Sequence, residues 1–200
     1  MSHSRQISQL ENLKLVWDSK EQQHVVAFYG EKNSFGEFSN FYRISHTFTI
    51  PEWCGVKASI SIPVEFSEKS IMLCKASLFH DSETFEKIRL AKTPFEAKKL
   101  GRTVKKFNEK KWLECVCDIA VEVVYQKFKS NKTICDVLLS TQTSLIAEAA
   151  PYDKLWGIGL NVADTRTSNP KKWEGYNVLG FALMKAREKL FSNRVGESYE

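Results

Sequence analysis

The chain has 200 residues, is 42% hydrophobic and 12% aromatic, and carries a formal net charge of +5. This excludes a disordered polymer and fits one domain with a sizeable core. A pI near 8.9 suits a phosphate-bearing ligand or a nucleic acid without requiring either. The five cysteines, Cys54, Cys74, Cys115, Cys117 and Cys135, lack a second Cys or His pair to close a tetrahedral zinc site. They read as free thiols in a reducing compartment. With no charged-then-apolar leader and no apolar run of membrane length, a cytoplasmic protein without membrane, metal or cofactor is expected.

Residues 1–20 are polar with weak periodicity and are read as an extension; 193–200 are read as a tail. Residues 24–29 are β-branched and aromatic and end at Gly30, a strand pattern. A loop over 30–40 turns at Asn33, Ser34, Phe35 and Gly36 and leads to Asn40 and Phe41, an amide set among aromatics. Asn40 is either a loop-capping amide or a polar contact in an aromatic pocket. Strands are expected at 47–50 and 56–66, joined by a turn over 51–55.

Ser67 then reads as the N-cap of a helix over 67–79, with Ile71, Met72, Leu78 and Phe79 inward. Glu68 and Lys75 share that inward face, two turns or about 10 Å apart. They are a buried ion pair or a site, although Lys often snorkels to water and a first-turn Glu is favoured by the helix dipole. That dipole predicts an ionised Glu68.

Helices follow at 83–91, capped by Asp81 and Ser82, and from Pro94, capped by Thr93 with Gly101 as the C-cap glycine. A long helix at 108–129 has Trp112, Val116, Ile119, Val123 and Phe128 on one face. A helix at 133–140, a short strand at 145–148 and a helix at 178–191 capped by Asn177 complete the pattern. The fold class is α+β: mainly helical, with a small N-terminal β-sheet.

Chemistry is concentrated in a loop carrying Glu148, Asp153, Trp156, Gly157 and Gly159. The glycines permit close backbone approach by a ligand, Trp156 offers a planar face, and Asp153 can accept from ribose hydroxyls or move a proton. A second Trp-Gly loop, Trp173 to Asn177, puts amides before a helix where an anion could bind. Seven basic residues lie between Lys98 and Lys111. The lysines read as a solvated face, and Arg102 at a helix end reads as a phosphate fork.

Taken in order, Phe28 and Tyr29, Phe38 to Phe41, Ser67 and Glu68, Lys75 and Ala76, Leu100 to Arg102 and Trp112 form one set. Lys127 and Phe128, Leu138, Leu139 and Thr141, Glu148, Asp153, Trp156 to Gly159, Trp173, Gly175 and Asn177, and Leu179 to Arg187 complete it. This ordered set resembles the NADAR, or YbiA-like, family over roughly 25–190. It departs at Lys69, where the family often has His.

The resemblance implies a YbiA-like catalytic domain over 21–192 that hydrolyses N-glycosidic bonds. Substrates implied are ribosylamino-pyrimidine phosphates of riboflavin synthesis, or ADP-ribosyl-guanine in nucleic acid. It implies Glu68, Trp112, Asp153 and Trp156 as active-site residues and Arg102 and Asn40 as substrate contacts. Lys75 either neutralises charge or attacks C1′ as a Schiff-base nucleophile. Phe41, Gly157, Gly159 and Asn177 complete the expected binding set. Two other classes stay open: a non-hydrolysing ADP-ribose or NAD-type sensor, and a DNA-binding protein using the 98–111 face.

Overall fold

The computed structural model describes residues 9–20 and 23–197. Seven helices and four strands are found among them: α1 Gln9–Ser19, β1 Val25–Phe28, β2 His46–Ile50, β3 Ile60–Val64, α2 Ser67–Leu78, α3 Ser82–Leu90, α4 Pro94–Gly101, α5 Glu109–Lys129, α6 Lys132–Ser140, β4 Leu145–Glu148 and α7 Val178–Glu197. The α+β class holds. The strands do not make one N-terminal sheet. β2 and β3 pair antiparallel, whereas β1 pairs parallel with β4, Val25 opposite Leu145 and Phe28 opposite Glu148. A parallel partner needs a long crossover, here everything from β2 to α6. That crossover brings the end of β4 beside the N-terminal loop. β3 is shorter than the expected strand, and its Pro63 is tolerated because the two-stranded ribbon leaves an unpaired edge.

The long helices α5 and α7 pack against each other at the centre. Val116, Ile119, Ala120 and Val123 of α5 and Val178, Leu179, Ala182, Leu183 and Ala186 of α7 are buried. α7 also covers β4.

The expected polar extension divides in two. Residues 1–8 lie outside the described residues, while Gln9–Ser19 is a helix whose Leu10, Leu13 and Trp17 are buried. The three fall at i, i+3 and i+7, a stripe too short to stand out between charged neighbours. Trp17 packs tilted against Trp173 with ring centroids 5.3 Å apart, and its indole N–H donates to the Tyr176 carbonyl at 2.8 Å. Lys14 donates to the Trp173 carbonyl at 2.8 Å. α1 therefore clamps the second Trp-Gly loop. At the other end, the expected tail continues α7 to Glu197, with Asn193 donating to the Tyr125 hydroxyl at 3.1 Å.

Three expected caps act differently. Phe66, not Ser67, is the N-cap residue of α2, and the Ser67 hydroxyl is buried without a partner. Gly101 is the last helical residue of α4 and has no positive φ. A Cβ there would sit 1.9 Å from the Met72 sulfur, so Gly101 serves close packing of α4 on α2. Asn177 does not cap α7 through its side chain, as described below. Asp81, Thr93 and Asn108 do cap α3, α4 and α5, accepting from Thr84, Glu96 and Lys111 main-chain N–H groups.

Candidate functional site

Five pieces of chain converge on one place: the loop at Asn40 and Phe41, the first turn of α2, the end of α4, the start of α5, and the end of β4 with the loop after it. Glu68 is buried at the start of α2, and its main-chain N–H donates to the Asn40 carbonyl at 3.0 Å. Asn40 is itself buried, and its side-chain Oδ1 has no hydrogen-bond partner.

Burial pushes the Glu68 carboxyl up to about 7, and the negative charge of Asp153 adds to the rise. The cations Lys98, Arg102 and Lys75 oppose it. The dipole-based expectation of a fully ionised Glu68 is thus corrected. Desolvation outweighs the favourable helix terminus.

Glu148 closes β4 and is shifted further, up to about 8. Burial is again the largest cause, Asp153 and Glu68 push the same way, and Lys98 opposes them. Its Oε2 is buried without a partner. Three acids, Glu68, Glu148 and Asp153, therefore share one electrostatic neighbourhood with Lys98 common to the two glutamates.

Lys75, one face of α2 along from Glu68, has its ammonium 4.2 Å from the Phe107 ring centroid and 5.5 Å from that of Trp112. Burial and the Arg102 charge lower its pKa, and Glu68 raises it. The amine is thus partly desolvated in an aromatic setting. Trp112 is buried at the start of α5. Phe41 meets Phe95 edge to face at 5.0 Å, and the Lys98 ammonium lies 5.8 Å from the Phe41 ring. Arg102 is exposed at the end of α4, where its charge reaches both Glu68 and Lys75.

Asp153 is half-buried, and its Oδ1 accepts from the Leu155 and Trp156 main-chain N–H groups at 3.1 and 2.8 Å. This turn fixes the half-buried Trp156 beside the acid that precedes it. The other oxygen, Oδ2, is left for a ligand.

Three expected contacts also have structural roles. Gly157 is buried, and a Cβ there would lie 2.7 Å from the Glu148 carbonyl oxygen; Gly159 adopts φ +72 and is also buried. Both glycines let the loop close on its own main chain, with Ile158 N–H donating to the Glu148 carbonyl at 2.9 Å. Asn177 is fully buried; its Nδ2 donates to the Ile146 carbonyl at 2.8 Å and its Oδ1 accepts from Glu148 N–H at 3.1 Å. Its amide is spent on pinning β4, which leaves nothing for a substrate or a helix cap.

The sequence reading placed Glu148 in the chemistry-bearing loop without giving it a role, read Lys98 as part of a solvated face, and missed Phe107 altogether. Lys98 lies one helical turn before Arg102, a same-face signal. Glu148 was marked only by its place in that loop, because the β1–β4 pairing is what brings it inward. The basic 98–111 run is partly consumed internally: Lys105 pairs with Glu83 at 2.7 Å and Lys111 donates to the Leu78 carbonyl at 3.1 Å. Among the described residues no group of three or more His, Cys, Asp or Glu is placed to hold a metal ion, and no helix is long and apolar enough to cross a membrane.

Comparison with known proteins identifies relatives of the whole domain. The chain is 40% identical over 123 residues to an N-glycosidase, R617, of Acanthamoeba polyphaga mimivirus, covering 62% of this chain and 72% of that one. It is 29% identical to the maize chloroplast riboflavin biosynthesis protein PYRR over 88% of this chain but only 27% of that longer protein. It is 26% identical to the N-glycosidase YbiA of Shigella boydii over 84% and 90% of the two chains. The NMR structure of Escherichia coli YbiA superposes with a TM-score of 0.65 at 24% identity, over 89% of this chain and 91% of that one, and so shares the fold. With the NADAR domain profile matching residues 27–191, most of the chain, this protein belongs to the NADAR family.

Proposed function

We propose that this protein is a hydrolase that cleaves the C1′–N bond of a phosphorylated ribosyl substrate. The observation that carries the reading is the group of three acids, Glu68, Glu148 and Asp153, set among Lys75, Lys98 and Arg102 and walled by aromatic side chains. Relatives named N-glycosidase and riboflavin biosynthesis protein support the same class.

As the C1′–N bond stretches, positive charge grows on the ribose, and a carboxylate facing that carbon stabilises it. Glu68 in its ionised form fills this role and takes a proton from the water whose oxygen joins C1′. The nitrogen leaves with a proton delivered by the acid cluster. Glu148, shifted to about 8, still holds its proton at neutral pH. Two carboxyls with different pKa values can divide acid and base work. The free Oδ2 of Asp153 accepts from ribose hydroxyls or passes the proton to nitrogen. Lys98 and Arg102 meet the phosphate, and Trp156 and Trp112 stack on the planar groups. Such a site accommodates ADP-ribosyl-guanine in nucleic acid or a ribosylamino-pyrimidine phosphate, and it operates in the cytoplasm.

The test is to incubate the protein with an ADP-ribosylated guanine oligonucleotide and, separately, with a ribosylamino-pyrimidine phosphate. Released base is then followed by mass spectrometry, with Glu68→Gln as the control. Base release by the parent and a loss of at least about a hundredfold in the variant support the reading. Tight binding of both substrates without base release would replace it with a nucleotide sensor.

A further inference from the structure

Away from the acid cluster, a second cavity of about 490 Å³ opens between the end of α6 and α7, lined by Leu139, Gln142, Thr143, Arg187, Glu188 and Phe191. Arg187 is only 8% exposed. One of its amino groups, Nη1, donates to the Thr141 hydroxyl at 2.6 Å and to the Ser144 carbonyl at 2.9 Å. That fixes the plane of the guanidinium. Nη2 and Nε have no hydrogen-bond partner among the described residues, and neither is sealed from solvent.

Nε–H and Nη2–H lie on the same edge of a guanidinium and form the side-on fork that matches two oxygens of a carboxylate or phosphate. The neighbouring acid, Glu188, is engaged by Lys185 at 2.8 Å and makes no ion pair with Arg187, although its negative charge still acts on the guanidinium. A guanidinium only 8% exposed, held by two bonds through Nη1 and open along its fork edge, is predisposed to take an anion there. The remaining wall has apolar and polar parts: Phe191, 61% exposed, and Leu139 against the Gln142 amide and the Thr143 hydroxyl. The volume falls within the range of small-molecule sites, roughly 300–1,000 Å³.

We propose that this cavity binds a small organic anion, a carboxylate or phosphate head on a planar apolar body, with the head on the Nε/Nη2 edge of Arg187 and the body against Phe191. The site is separate from the acid cluster and stands whether or not the glycosidase reading holds.

The experiment is a titration of the full ¹⁵N-labelled chain with benzoate, phenyl phosphate and inorganic phosphate, read from amide shifts. Saturable shifts confined to residues 139–143 and 187–191 with either aryl anion, and binding of inorganic phosphate weaker by about tenfold or more, support the site. The tighter aryl anion names the head group. Arg187→Lys keeps the charge but not the fork and should weaken binding by about tenfold or more. Because Arg187 also braces Thr141 and Ser144, the second variant is Phe191→Glu, an exposed change that leaves the fold intact and puts a like charge at the mouth. Equal affinity in Phe191→Glu, shifts that never saturate, or shifts centred on Glu68 would overturn the proposal.

Discussion

The main-chain N–H of Glu68 rests on the main-chain carbonyl of Asn40 at 3.0 Å. This single bond ties the first turn of α2 to the loop after β1 and sets the direction in which the Glu68 carboxyl enters the site. It uses only the backbone of Asn40, so the amide side chain, whose Oδ1 is buried and unpartnered, is left for another purpose.

Asn40→Ala should therefore separate binding from folding. The helix-to-loop bond survives, and removal of a buried acceptor without a partner costs little or nothing, so the melting temperature should change by no more than about 2 °C. If the amide meets substrate, KM should rise about tenfold or more with a smaller change in kcat. Thermal melts and steady-state kinetics on the same preparation check both halves.

The two glutamates predict a bell-shaped pH profile. Glu68 must lose its proton, at about 7, and the cluster must keep the one on Glu148, at about 8. Rates should climb toward neutrality and fall above pH 8, the two limbs belonging to the coupled cluster rather than to either residue. Glu148→Gln should abolish the alkaline limb. A flat profile from pH 6 to 9 in single-turnover kinetics would remove both carboxyls from proton transfer.

Stability carries the opposite signature to an ordinary salt-bridged acid. The folded-state pKa of Glu148 is raised from 4.5 to about 8, so the native state binds the proton more tightly than the unfolded chain. That stabilisation is complete below the unfolded value near 4.5 and is lost as pH rises through about 8. Glu148→Gln, which keeps the neutral shape, should raise the unfolding free energy by on the order of a few kcal/mol at pH 9 and by little at pH 4. Urea melts of both proteins at the two pH values measure the difference.

Lys75 can be assigned by trapping. A partly desolvated amine between Phe107 and Trp112 is suited to attack C1′ of an opened ribosylamine, expelling the nitrogen as an imine forms. Borohydride added during turnover should then leave a reduced sugar on Lys75, detectable by peptide mass. Full turnover with an unmodified Lys75 peptide assigns the ammonium to charge neutralisation beside Glu68.

Lys127 offers a mutation remote from the acids with the same functional outcome. It is fully buried on α5, its pKa pushed down to about 7 by burial, and it donates to the Glu37 and Ser39 carbonyls at 2.6 and 2.9 Å. Those carbonyls immediately precede Asn40. Lys127→Met leaves the Glu37 carbonyl unpaired and the Ser39 carbonyl with only the Tyr42 N–H at 3.2 Å, and should cost about 1–3 kcal/mol. It should also lower kcat by loosening the carbonyl that holds Glu68, and denaturant melts with kinetics check both.

The sequence by itself determined the helices from α2 onward, the caps at Asp81 and Thr93, and the family. These depend on periodicity, short-range hydrogen bonding and ordered motifs, all written locally along the chain. It also placed Glu68 and Lys75 together on α2, because helical spacing puts ionisable residues on an apolar face wherever the helix packs. The tertiary structure alone decided three things. It assigned β1 a partner more than a hundred residues away, and with that pairing it carried Glu148 inward. It made Gly157, Gly159 and Asn177 braces of the loop, through close approach to the Glu148 carbonyl, to the Glu174 and Lys154 side chains, and to the Ile146 carbonyl in turn. It also moved Glu68 away from the ionised state that its helix position favours. Desolvation depends on how many segments close over a carboxyl, and no local pattern encodes that.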